Sequence, residues 1–529
     1  MFRMLGKLSG SIVLFAALVI LGAVDVALQY LCGDSVVRHS IYEILAVSLL
    51  KGFKWACLIS AIVCAIGLIC RYLALLVFLF TILIMGVEAF ARIKFNIGVG
   101  GDWYTLLMTS SALEMREFAF SFLTIEFFLI AAVSVGSVIM LTIYFIKYCR
   151  TDCFGRLNCF CVIFLMLGLF VVLPSTGLDC TYSRFIPATI QNVRDYSSLR
   201  KCVDAKCPKD YLYVGGDMDM IVIFVIGESS CRNYWSLYGY GRKTTSNIES
   251  FHRNVIKFSD VQACCTVTST ALRCLVTDAT IQDLDINITL PAVLKGCGYD
   301  RVMISNQGHW HGMDGYESMI FSGCQKIYIA DLNLPRPVYD DAIVKVLSDN
   351  ISCAPDRVAY FVHLMGSHSP FDARCPKGRE RFPLWSSPPD SYGLPREVKE
   401  MINRYDNSIA FTDEVLGAII NKLQNLDRPS VLIYVSDHGE TPRAGSWRYA
   451  SDPDCWQVPL FVWYSDQYAE RFPETVARLK SSQDKEIQTD WLFHGLIELC
   501  GVGGFDRSLS FLSSEFKSPL DRRYQCKMK

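Results

Sequence analysis

The chain has 529 residues, 51% of them hydrophobic, with a mean hydropathy of +0.27 and a formal net charge of -1. It is too long for one ordinary domain and too apolar for a purely water-soluble protein. The near-zero charge, with no block rich in Lys and Arg, argues against a nucleic-acid partner. A membrane part and a soluble part are expected.

Long uncharged runs crowd the first third. Five of them reach the length of about 20 apolar residues that spans a bilayer core: Ser11–Leu31, Lys54–Cys70, Leu73–Arg92, Phe118–Tyr148 and Leu157–Pro174. The first run is span-length and others follow it, so it reads as a retained anchor and not a cleaved signal. Arg3 and Lys7, then Arg71, then Lys147, Arg150 and Arg156 mark the cytoplasmic side. An odd number of spans starting inside ends outside, with Lys94 and Arg116 as a mild exception. The expected organisation is a membrane domain over 1–175, a linker over 176–215 and a catalytic domain over 216–529 in the periplasm or its equivalent. Of the 22 cysteines, 14 follow residue 175, an even number suited to an oxidising compartment. Their pairing is not legible from spacing alone.

Beyond the boundary, short β-branched runs alternate with helical patterns. Ile221–Ile226, Arg301–Ile304, Val358–Leu364, Val431–Val435 and Leu460–Trp463 read as buried strands; Leu290–Gly296, Asp341–Leu347 and Arg396–Leu423 read as helices. This alternation predicts an α/β sheet covered by helices on both faces, with ligands at the carboxyl ends of its strands.

The chemistry-bearing residues follow those strands. Ile221–Ile226 leads into Gly227-Glu228-Ser229-Ser230, and Val431–Val435 into Ser436-Asp437-His438-Gly439-Glu440. Two carboxylates and an imidazole suit Zn²⁺; taken singly, each is equally a helix cap or a turn pair. Between them lies Cys264-Cys265-Thr266-Val267-Thr268-Ser269-Thr270, ahead of a short helix. A hydroxyl there could be a metal-activated nucleophile or simply a helix cap.

These segments occur together with Tyr238-Gly239-Tyr240-Gly241-Arg242-Lys243-Thr244-Thr245, His363-Leu364-Met365-Gly366-Ser367-His368 and Tyr405-Asp406-Asn407-Ser408-Ile409. The set, in this order, resembles the bacterial phosphoethanolamine transferases of the alkaline phosphatase and sulfatase superfamily, which also carry a five-span anchor in the cytoplasmic (inner) membrane. The resemblance implies zinc ligands at Glu228, Asp437 and His438, with Thr268 as both ligand and nucleophile. Thr266 and Thr270 stay as alternatives two residues away. It further implies a Cys264–Cys274 disulfide and a phosphate contact at His368, which could protonate the leaving group; His363 is expected to point into the core. One zinc is implied, and a second during turnover is left open. The implied donor is phosphatidylethanolamine, and the implied acceptor is an outer-face glycolipid or glycan such as lipid A or a lipopolysaccharide core sugar, which the sequence does not identify.

The chain departs from the family where a further histidine is usual: Thr441–Val458 has none and offers Arg443, Trp447 and Arg448. Arginine can grip phosphate bidentately. Asn306, Gln307, His309 and His311 are further substrate-side candidates, with a polar surface loop as the alternative. Ser111 and Glu114 loosely match a family loop that reaches toward the active site. Two rivals remain: a sulfatase or phosphodiesterase sharing the metal site, and an inactive binding domain.

Overall fold

The structure is a computed structural model that describes residues 128, 206–216, 219–307, 316–334, 337–444 and 452–517. The chain divides into two compact units, and the described fold belongs to the one that holds Val193–Met528. Apart from residue 128, the five expected spans lie outside the described residues, as do Ser111, Glu114, His309, His311, Trp447 and Arg448. Among the described residues, no helix is long and apolar enough to cross a membrane.

In chain order, the elements that position the site are β1 (Met220–Gly227), α1 (Ser246–Ser250), β2 (Val255–Lys257), α2 (Thr268–Leu275), α3 (Leu290–Gly296), β3 (Asp300–Ser305), α4 (Tyr316–Ile320), β4 (Gln325–Tyr328), α5 (Asp341–Ser352), β5 (Arg357–His363), α6 (Arg396–Gln424), β6 (Ser430–Ser436), β7 (Leu460–Tyr464), α7 (Pro473–Ser482) and α8 (Phe493–Leu499). Seven strands form one sheet in the order β2-β7-β6-β1-β5-β3-β4. β6, β1, β5, β3 and β4 run parallel, while β7 is antiparallel to both β6 and β2. All five strands read from the sequence are present. The two edge strands escaped that reading because they are short and only partly buried, with Lys257, Gln325 and Lys326 interrupting any apolar run.

β1 is buried along its whole length, as a central parallel strand covered on both faces must be. Its alternate side chains divide the core. Val222, Phe224 and Ile226 join Leu272, Leu290, Leu294, Leu479 and Leu496 from α2, α3, α7 and α8. Ile221, Ile223 and Val225 join Ile343 and Leu347 of α5 and Ile402, Ile409 and Leu416 of α6. This is the expected α/β sheet with helices on both faces. Each fully buried Ile or Leu contributes roughly 1.5–3 kcal/mol, which holds the carboxyl ends of β1, β5 and β6 in fixed register, with Ile226 opposite both His363 and Val435.

Candidate metal centre and nucleophile

The strand ends deliver their polar residues to one point. Glu228 follows β1, Asp437 and His438 follow β6, and each is 3% exposed or less. The turn after β1 is tight: Ser229 takes a left-handed φ of 55°. Its N–H donates to Asp437 Oδ1 at 3.0 Å, and its carbonyl accepts from the Tyr405 hydroxyl at 2.7 Å. Facing it, Gly366 has φ 51°, and a β-carbon there would stand 2.7 Å from the Glu228 carbonyl oxygen, so the close approach requires glycine. Asp340 pins that loop, accepting from the Met365 and Gly366 N–H groups at 2.9 and 2.8 Å and from Asn306 Nδ2 at 2.8 Å. Burial pushes the Asp340 carboxyl up from its ordinary value, against these donors.

Nδ1 of His438 lies 2.9 Å from the Gly439 carbonyl, which can only accept. Nδ1 therefore carries the proton in the neutral ring, and Nε2 presents its lone pair. That lone pair faces Asp437 Oδ2 at 3.3 Å, Glu228 Oε1 at 3.6 Å and the Thr268 hydroxyl at 3.3 Å. The Thr268 hydroxyl is also 3.3 Å from both Glu228 carboxylate oxygens. Asp437 Oδ2 is buried and accepts no hydrogen bond.

Acceptor atoms converging in a buried space repel one another unless a cation lies among them. Ligands held tetrahedrally about 2.0–2.1 Å from zinc stand about 3.3–3.4 Å apart; the separations of Nε2 from Asp437, Glu228 and Thr268, and of the Thr268 oxygen from Glu228, all fall at 3.3 Å or 3.6 Å, and ligand atoms of Glu228, Asp437 and His438 lie within 4.8 Å of one another. Two carboxylates, one imidazole and one hydroxyl thus fit a zinc ion in both chemistry and spacing.

Thr268 is the first residue of α2, and its hydroxyl is the one among Thr266, Thr268 and Thr270 with recorded contacts to these ligands. Behind the loop, Cys264, Cys265 and Cys274 are buried and pack against Ala271. Contact with the Cys265 and Cys274 sulfurs draws the Cys264 thiol well below its ordinary range, and Cys264 in turn pushes Cys274 up.

The other sequence-derived candidates separate. Gln307 is buried and donates through Nε2 to Glu228 Oε2 at 3.3 Å and to the Leu364 carbonyl at 2.8 Å, so it supports the ligand itself. Asn306 serves Asp340. His368 is half-buried, with Nδ1 2.6 Å from the Ser369 carbonyl. Arg443 donates three of its five N–H groups, to the Tyr234 hydroxyl at 3.2 Å and to the Asp390 and Pro389 carbonyls at 3.0 and 3.3 Å. It acts there as a tie between loops, an environment that sequence alone did not suggest. His363 is buried, as expected, yet it meets polar partners: Nδ1 is 2.6 Å from Glu317 Oε1, and Nε2 is 4.0 Å from Glu228 Oε2. Sequence reasoning missed Glu317 altogether, since a lone glutamate at the start of a short helix carries no local signal.

The sulfatase family model matches residues 221–502. The phosphoethanolamine transferase EptC of Escherichia coli K12 is 26% identical over 321 residues, covering 57% of this chain and 55% of that protein. The chain spans about half the length of the curated relatives it matches, 49–55% for the E. coli proteins. The crystal structure of the C-terminal periplasmic domain of E. coli EptC in complex with Zn aligns at TM-score 0.55 and 24% identity, over 60% of this chain and 92% of that one. The integral membrane lipooligosaccharide phosphoethanolamine transferase A of Neisseria meningitidis aligns at TM-score 0.73 and 18% identity, over 94% of this chain and 98% of that one. At these identities the two structures bear on the fold alone.

Proposed function

The chain belongs to the sulfatase family, and from that premise we propose that it is a zinc-dependent phosphoethanolamine transferase anchored in a bacterial inner membrane, with its catalytic domain in the periplasm. The donor is phosphatidylethanolamine and the acceptor an envelope glycolipid or glycan. One observation carries the reading: a threonine hydroxyl stands 3.3 Å from both oxygens of Glu228 and from His438 Nε2, within a buried set of acceptors. Similarity to EptC supports transfer over hydrolysis, and the five apolar runs with their flanking basic residues support the anchor.

Glu228, Asp437 and His438 would hold the zinc, which supplies Lewis acidity at the phosphate and at the Thr268 hydroxyl. The Thr268 hydroxyl gives its proton to water as its oxygen forms a bond to the donor phosphorus and the bond to the diacylglycerol oxygen breaks, and the leaving oxygen takes up a proton. His368 is the proposed proton donor. The resulting phosphoethanolamine-threonine passes its group to the acceptor hydroxyl, whose proton is released, and Thr268 regains its own. Glu228 and His438, each 3.3 Å from the threonine oxygen, orient it for both steps, and the Asp340-pinned loop keeps Glu228 in place.

Intact-mass measurement after incubation with phosphatidylethanolamine tests the reading. Wild type should gain one phosphoethanolamine on Thr268 with release of diacylglycerol; Thr268→Ala should gain none and lose turnover by on the order of 10⁴-fold or more, while Thr268→Ser keeps part. An adduct on Thr266 or Thr270 would move the nucleophile. Donor cleavage with no covalent adduct and no acceptor product would replace transferase with hydrolase.

A further inference from the structure

Asp437 and His438 are held largely by backbone groups: the N–H groups of Ser229 and His438 on Asp437 Oδ1, and the Gly439 carbonyl on the His438 ring. Glu228 is different. Its Oε1 accepts from the Ser229 hydroxyl at 2.9 Å, and its Oε2 accepts from Gln307 Nε2 at 3.3 Å and has His363 Nε2 4.0 Å away. Two side chains from outside its own strand therefore border this ligand, Gln307 by a hydrogen bond and His363 by proximity.

His363 ends β5, in register with Ile226 of β1 on one side and Ser305 of β3 on the other. Its ring stands between the strand that carries Glu228 and the strand that leads to Gln307. The ring is fixed from behind, because Nδ1 is 2.6 Å from Glu317 Oε1, a carboxylate oxygen that accepts the Nδ1 proton. Glu317 is braced in turn by the Ser305 hydroxyl, which lies 3.2 and 3.3 Å from its two oxygens. The same Ser305 oxygen accepts from the Gln307 N–H at 3.2 Å, so one serine steadies both routes to Glu228.

We propose that Glu317 and His363 form a positioning pair that seats the Glu228 carboxylate for the metal and so sets metal affinity from outside the ligand shell. The inference rests on the reading of Glu228, Asp437 and His438 as a zinc site and adds to it two residues that make no bond to the ion. Partners of ligating residues commonly act this way, with losses of about 10- to 100-fold on removal.

The test uses the full-length chain and reads two quantities: the zinc dissociation constant by chelator competition, and the melting temperature of the zinc-free form. Glu317→Ala and His363→Leu should each weaken zinc by about 10- to 100-fold while the zinc-free melting temperature stays near wild type. Glu317→Gln, which keeps an oxygen for the Nδ1 proton, should recover most of the affinity. If His363→Leu does not fold, the two Glu317 variants decide alone. Wild-type zinc affinity in Glu317→Ala, with or without a fall in melting temperature, would overturn the proposal and leave the zinc site standing. Failure of wild type itself to bind zinc would overturn the site reading and this inference together.

Discussion

Two regions of the unit that holds Val193–Met528 bury charge, and they do so in different ways. Along α6, the buried acids meet donors at every carboxylate oxygen but Asp406 Oδ1. Asp413 accepts from the Asn247 N–H and side-chain amide through Oδ2 and from the Ile248 N–H through Oδ1. Asp406 pairs with Arg242 at 2.8 Å and accepts from the Tyr240 hydroxyl. Asn407 exchanges two hydrogen bonds with the Phe382 backbone. At the ends of β1 and β6, by contrast, acceptors face acceptors. A buried carboxylate costs several kcal/mol unless it is paired, so the first arrangement is met mostly from within the fold, and the second is one that a cation would complete.

The sharpest way to break this contrast is to remove a ligand. Glu228→Ala, Asp437→Ala and His438→Ala should each lose zinc, and turnover should fall by more than the roughly 10- to 100-fold expected of an outer partner. Stability should move the other way without metal: removing Asp437 Oδ2, which has no hydrogen-bond partner, relieves repulsion, so zinc-free Asp437→Asn should melt no lower than zinc-free wild type. Elemental analysis and melting curves read both. Full zinc occupancy in all three alanine variants would remove the distinction between the regions.

The converse substitution lies on α6. Asp413→Ala leaves the Asn247 and Ile248 donors of α1 without their acceptor, and unmet buried donors cost about 1–3 kcal/mol each. A loss of about 3 kcal/mol in urea titration is expected, with zinc content per folded chain unchanged. If zinc falls in step with stability, α6 belongs to the site and not only to its support.

Much of this was legible beforehand because the central strands are unbroken apolar runs ending in Gly-Glu-Ser and Ser-Asp-His, and a parallel sheet gathers such ends on one edge. What the sequence hid is contact at long separation. Glu317 and Glu228 meet through His363 although no local pattern joins them. Arg443 read as a phosphate ligand because its guanidinium suits one, but whether three of its donors are already spent on Tyr234, Pro389 and Asp390 depends on loops that have no periodicity. The three threonines near the head of α2 differed only in register, and only folding sets Thr268 against Glu228.

Asp490 sits between the two regimes and gives the smallest effect. Its Oδ2 accepts from the Ile281 N–H at 3.0 Å, while Oδ1 is buried with no partner. Burial, followed by the charge of Cys264, raises its carboxyl to about 7. The direction of the pH dependence follows. Well below the ordinary value of 3.8, the folded and unfolded states both hold the proton and the group costs nothing. Between there and about pH 7 the unfolded chain ionises while the folded chain keeps its proton, so wild-type stability falls as pH rises, and above about 7 the loss is complete. Asp490→Asn cannot ionise and keeps an oxygen for Ile281. It should match wild type near about pH 3 and be more stable at about pH 8 by about 1–3 kcal/mol, read from urea titrations at the two pH values. A Cys264–Cys274 bridge would remove the thiol contribution, so the gain should be larger in reductant than in its absence; an equal gain in both would mean that these cysteines are not bridged.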